Sequence, residues 1–150
     1  MIKRQSLMKD LTEKLKEITT VNGYRTDVSN VKHFSSLIEP KANEVILNIK
    51  DVENNFEDDG KKEILTVEII VGCIKGDNNY NYITNLIDDI YKCLYNAEKK
   101  FNTKYGYCVF IPVSDALAKE QFEREIAEAV ITFNIIHNVD TQWTYQTKEY

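Results

Sequence analysis

Two hydrophobic periods run along this chain, and the change from one to the other falls at a single turn. Over residues 62–75, Leu65, Val67, Ile69, Val71 and Cys73 recur at every second position, the spacing of a strand with one continuous apolar face. From about residue 80 to 95, Ile83, Leu86, Ile87, Ile90, Tyr91 and Leu94 follow the three- and four-residue spacing of a helical stripe. A short Gly-Asp-Asn-Asn-Tyr turn separates the two. The strand and helix are therefore expected to pack on each other at the centre of the fold.

The same reading extends outwards. Leu7, Met8, Leu11, Leu15 and Ile18 predict an amphipathic helix over residues 6–20, with Asp10 and Lys14 as a favourable outer-face pair and Asn22-Gly23 closing it. Tyr24, Thr26, Val28 and Val31, broken by Ser29-Asn30, predict two short strands around a tight turn. Residues 35–43, with Pro40, form a connector. Val45, Leu47 and Ile49 begin a strand that enters the polar stretch 51–63. Lying between two strands, that stretch reads as a long antiparallel hairpin with Asp59-Gly60 as its turn dipeptide. Residues 96–104 are polar and read as a returning loop. Tyr107, Val109, Ile111 and Val113 alternate as a further strand, which Pro112 assigns to an edge or a strand end. Residues 114–121 are expected to form a short helical turn capped by Ser114 or Asp115. Ala127, Ala129, Ile131, Phe133 and Ile135 mark a long final strand over residues 125–139, followed by a polar tail.

These elements predict an α+β fold in two layers. A mainly antiparallel or mixed sheet of about five to six strands carries two main helices on one face, and a long β-hairpin protrudes. The other face is solvated or meets a partner. The length of 150 residues suits a single domain spanning 1–150, and 43% hydrophobic residues suffice for one core.

Charge and cysteines narrow the functional classes. A net charge of −5, with the 19 basic residues scattered among acidic neighbours, argues against gripping nucleic acid. No stretch is apolar enough to span a membrane, and the charged start does not read as a secretory signal. The three cysteines, Cys73, Cys93 and Cys108, lack Cys-x-x-Cys spacing and read as buried, reduced thiols of an intracellular protein.

Chemistry-bearing motifs are scarce. The strand–turn–helix junction has one glycine, and Asp77 sits where a phosphate would, so Asp77 or Asn78 is read as a helix cap. His33 and His137 lack a His or Cys at ligand spacing. The acidic clusters Glu57-Asp58-Asp59 and Asp88-Asp89 lack a calcium-loop layout and read as a solvated turn and an outer helix face. No catalytic residue, cofactor or metal ligand is assigned, and an enzyme is not expected. Phe56, alone in a charged stretch, joins Glu57, Asp58 and Asp59 as candidate assembly contacts at the hairpin tip.

Four stretches together resemble one family. They are the N-terminal helix ending in Asn22-Gly23-Tyr24, the segment Tyr24-Arg25-Thr26-Asp27-Val28-Ser29-Asn30-Val31, the Pro40 connector leading into a long hairpin, and the helix Ile83 to Leu94 after the strand Val67 to Ile74. In that order they resemble the tail terminator and tail-completion proteins of tailed bacteriophages and prophages, a group that includes head–tail joining and minor tail or capsid proteins. Ser29 stands where such proteins often have glycine. The resemblance implies a structural virion protein, assembled in the host cytoplasm, that forms a homo-oligomeric, usually hexameric ring. Such a ring caps the tail tube, meets the head connector, and lets DNA pass without specific binding. The alternatives are a tail-tube or connector subunit of the same particle, or a small cytoplasmic binding or regulatory domain that uses the open sheet face. A hydrolase would instead show Asp, His and Ser brought together in one pocket.

Overall fold

Period-two alternation yields five strands, and they join into one sheet. The computed structural model describes residues 3–33, 41, 43–57, 60–74, 79–117 and 126–139. Strands β1 (Asn30–His33), β2 (Glu44–Glu57), β3 (Gly60–Ile74), β4 (Cys108–Leu117) and β5 (Ile126–Asn138) lie in the order β1-β2-β3-β5-β4. β1 runs parallel to β2, and every other pair is antiparallel. Helices α1 (Lys3–Leu15) and α2 (Asn79–Tyr105) complete the α+β, two-layer architecture.

Register explains why both helices share one face. Leu47, Ile69 and Ile131 are aligned across β2, β3 and β5, and residues two apart along each strand carry the same face. Val45, Leu65, Val67, Val71, Ala129, Phe133 and Ile135 fall in this phase and share one buried cluster with Leu7, Met8, Leu11 and Leu15 of α1. From α2 the cluster takes Ile83, Leu86, Ile87, Ile90, Leu94, Ala97 and Phe101.

Several elements differ from the sequence expectation. α2 continues through 96–104 instead of looping back, because Ala97 and Phe101 prolong the stripe of Ile90 and Leu94 at helical spacing, and both are buried. α1 ends at Leu15, and a short 3-10 turn, Thr20–Asn22, follows before the left-handed Gly23. Of the two short strands expected between residues 24 and 34, only β1 forms. Residues 25 and 26 donate instead to a side chain of α2, so their backbone is not free to join a ladder. Asp10 pairs with Lys104 and Tyr105 of α2 and not with Lys14, which bridges to Glu17. Ser114–Leu117 is extended in β4 where a helical turn was expected, its ladder with β5 continuing to Ala129. In the hairpin, Glu57 faces Gly60, and Gly60 (φ 130°), expected in the turn, is the first residue of β3. The connector at 34–40, the Asp77/Asn78 cap, residues 118–125 and the tail fall outside the described residues.

Candidate interaction surfaces

The hairpin tip is the first surface. Phe56 is opposite Lys61 and Glu57 opposite Gly60, while Asp58 and Asp59 lie outside the described residues. β5 accompanies β3 as far as Lys62, and β1 accompanies β2 only over residues 44–47. From Asn48 to the tip, β2 therefore has no strand on its outer side among the described residues. That edge carries Lys50, Asp51 and Glu53 and a register shift between Ile49 and Asp51, features that discourage further strand pairing.

The opposite margin of the sheet is β4, which leaves apolar side chains exposed beside Ser114 and Asp115. Ile111 (43% exposed) and Val113 (56%) stand in the alternating set that marked this strand in the sequence, with Tyr107 just before it also exposed. Cys108 is buried, and Phe110 packs on the core. Between β4 and α2 lies a cleft of about 360 Å³ lined by Tyr91, Leu94, Tyr95, Phe110, Pro112 and Phe133, with Glu98 at its side. The aromatic rings interlock: Phe110 lies 5.7 Å from Phe133 and 5.6 Å from Phe101 between ring centroids.

Two polar side chains of this cleft, Tyr91 and Glu98, are engaged within the chain. Tyr91 donates to Asp115 Oδ2 at 2.8 Å, and burial, together with that carboxylate, pushes the phenol up to about 12. Glu98 Oε2 accepts from the Phe110 N–H at 2.8 Å. The Asn102 side chain holds Cys108 at both ends, accepting from its N–H (3.1 Å) and donating to its carbonyl (2.6 Å). Because Cys108 and Phe110 direct these groups to α2, they occupy the outward-facing phase of the antiparallel ladder. Pro112, two residues further on, occupies the same phase and has no N–H to offer. The β4 edge is thus closed to backbone pairing over 108–112.

The face away from the helices is mixed. Apolar rows Ile46–Ile70–Val130 and Ile64–Ile136–Val109 run across the strands, and between them Thr66 bonds to Asn134 at 3.0 Å. Ile46 has no accessible surface, so the chain itself covers that corner.

Two polar clusters lie on the core side. Glu63 and His137 face each other across β3 and β5, with Glu63 Oε1 3.1 Å from His137 Nε2, and Arg4 of α1 grips the same carboxylate through two bonds of 3.0 and 2.7 Å. Burial works to raise the Glu63 carboxyl, but the Arg4 bonds and charge, with His137, outweigh it and hold it below its ordinary range. Burial also drives His137 below its ordinary value, despite the opposing pull of Glu63. Cys108 is the ladder partner of His137, which completes a Cys–His–Glu row. That row carries no reactive thiolate: Cys108 is buried and its thiol is pushed up to about 11, and His137 Nε2 is turned to Glu63. The second cluster centres on Asp89, which is buried and not on the outer face of α2 as the sequence suggested. Its carboxylate accepts from the N–H groups of Arg25 and Thr26 and from the Thr26 hydroxyl at 2.6 Å, anchoring the loop before β1.

Sequence reasoning missed both clusters, although a signal existed. Glu63 and His137 continue the apolar phases Leu65–Val67 and Phe133–Ile135, and Asp89 lies within the stripe of Leu86 and Ile90. A charged residue in the buried phase of an element marks a paired group. Among the described residues, no three His, Cys, Asp or Glu side chains gather as a metal site. Compared with models of known protein families and with curated proteins, the chain matches none.

Proposed function

We propose that this chain is a structural subunit of a tailed-phage or prophage particle, a ring-forming tail terminator or tail-completion protein that caps the tail tube and joins it to the head connector. The observation that supports this reading is the margin along β4, where Ile111 and Val113 are exposed and where a largely apolar cleft bordered by exposed Tyr95 has its Tyr91 and Glu98 side chains bonded within the chain. Such a margin suits side-chain packing against another subunit better than capture of a polar small molecule, which would need free groups to orient it. The margin differs from the charged β2 edge on the opposite side of the sheet. Contacts between unlike surfaces are head-to-tail, and these close into rings when the rotation between subunits allows. The net charge of −5 suits a ring through which DNA passes without adhering.

Light scattering at high micromolar concentration, followed by negative-stain imaging alone and after mixing with tail-tube protein, tests the proposal. A single closed ring of fixed subunit number is the expected result. Open filaments would reassign the chain to the tube, and a strict monomer with no ring after mixing would overturn the reading.

A further inference from the structure

We infer that the cleft between α2 and β4 takes an arginine side chain presented by a partner protein, its guanidinium laid against the aromatic walls and held by Glu98 and Asp115. This goes beyond the ring reading, since it names what the cleft recognises whether or not the chain closes into a ring.

The cleft combines two features. Its walls are aromatic: Tyr91, Tyr95, Phe110 and Phe133 line a space of about 360 Å³, enough to admit the stem and planar head of an arginine. Its rim is acidic. Glu98 lines the cleft directly, and Asp115 is joined to it through the Tyr91 hydroxyl. Each carboxylate uses one oxygen within the chain, Glu98 Oε2 for the Phe110 N–H and Asp115 Oδ2 for Tyr91. Glu98 Oε1 and Asp115 Oδ1 have no bond among the described residues. Lys99 adds an opposing charge, but its ammonium lies 4.5 Å from the centre of the Tyr95 ring, so that ring already takes a cation on one face.

Aromatic faces with two part-used carboxylates call for a cation, and arginine suits them better than lysine. A planar guanidinium stacks on rings, carries five N–H donors for separated acceptors, and gives up water more readily than an ammonium. The contact has to be made by a side chain, because Asn102, Glu98 and Pro112 close the β4 backbone over 108–112. A folded partner delivers the guanidinium already oriented, so two oxygens suffice where a free small molecule would need more. The arginines among the described residues are committed elsewhere. Arg4 is fixed on Glu63, while Arg25 bonds Asn85 through Nη1 and Asp89 through its backbone. The arginine therefore comes from a different protein.

An NMR titration with N-acetyl-arginine amide, and with its neutral isostere N-acetyl-citrulline amide, tests this on the full chain. Saturable shifts confined to residues 91–98 and 110–115 are expected from the arginine compound at millimolar concentration, with binding at least tenfold weaker for the citrulline compound. The double variant Glu98→Gln/Asp115→Asn keeps both internal acceptors and should weaken arginine binding about tenfold while its spectrum elsewhere stays that of the wild type. Tyr95→Ala, at a ring that is 60% exposed, should weaken it several-fold without loss of folding. Equal shifts from the two compounds, shifts centred on Asp10 and Lys104 instead, or no shifts at all would overturn the inference. Self-association of the wild type that the arginine compound reverses would make a second copy the source and overturn the assignment to a different protein. Closed rings from a chain whose cleft ignores arginine would overturn this inference alone, and arginine-specific shifts in a strict monomer would overturn the ring reading alone.

Discussion

Glu63, Asp89 and His137 each occupy a position where the spacing of their element calls for an apolar side chain, and each is bonded to a distant part of the chain. Asp89 has the most local consequence. Replacing it with alanine would leave two backbone N–H groups and the Thr26 hydroxyl without their acceptor beneath the loop. A loss of about 2–4 kcal/mol follows for Asp89→Ala, measured by chemical denaturation, with Asp89→Asn losing less because one acceptor oxygen remains. The identity of these residues as buried polar groups was legible from their phase. Their partners were not, since Glu63 meets His137 only after β3 and β5 pair, and Asp89 meets Thr26 only once α2 has docked.

At the level of elements, alternation in the sequence located β2, β3, β4 and β5 and the first half of α2, because each buries one continuous side. It failed where burial was sparse or borrowed. The second half of α2 buries only a small residue and one ring of its polar run, Ala97 and Phe101, and the segment before β1 is shaped by a carboxylate from elsewhere. The cleft was illegible for a similar reason, since it joins α2 to β4 through the aromatic contacts of Phe110. One element property is directly testable: the closure of the β4 edge. The double variant Glu98→Ala/Pro112→Val frees the Phe110 N–H and restores an outward donor two residues on. It should remain folded by circular dichroism yet aggregate faster, with a rise in light scattering and thioflavin fluorescence over the wild type. Unchanged aggregation would mean that Glu98 and Pro112 do not guard this edge.

For the molecule as a whole, titration of the buried groups gives stability a definite slope with pH. His33 and His137 are lowered by burial from an ordinary value of 6.5, so the unfolded chain binds protons there that the native chain refuses. Glu63 is held below 4.5, and its contribution is present above that value and lost as pH falls through its native one. Both effects have the same sign. The melting temperature should fall from pH 7 to 5 and fall further below 4.5, and His137→Gln, which keeps a donor for Glu63, should flatten the upper limb while sparing the lower. A melting temperature that is level between pH 7 and 5 would contradict this assignment. The strand order has a different consequence, in time. The central strand β3 pairs on one side with β2, made just before it, and on the other with β5, the last of the described strands. Roughly 60 residues must follow β3 out of the ribosome before that side is filled, about 3 to 12 seconds at 5–20 residues per second. Throughout that interval the hairpin carries an unpaired central edge, so nascent chains on one message are exposed to one another, and faster arrival of β5 should raise the yield of native protein.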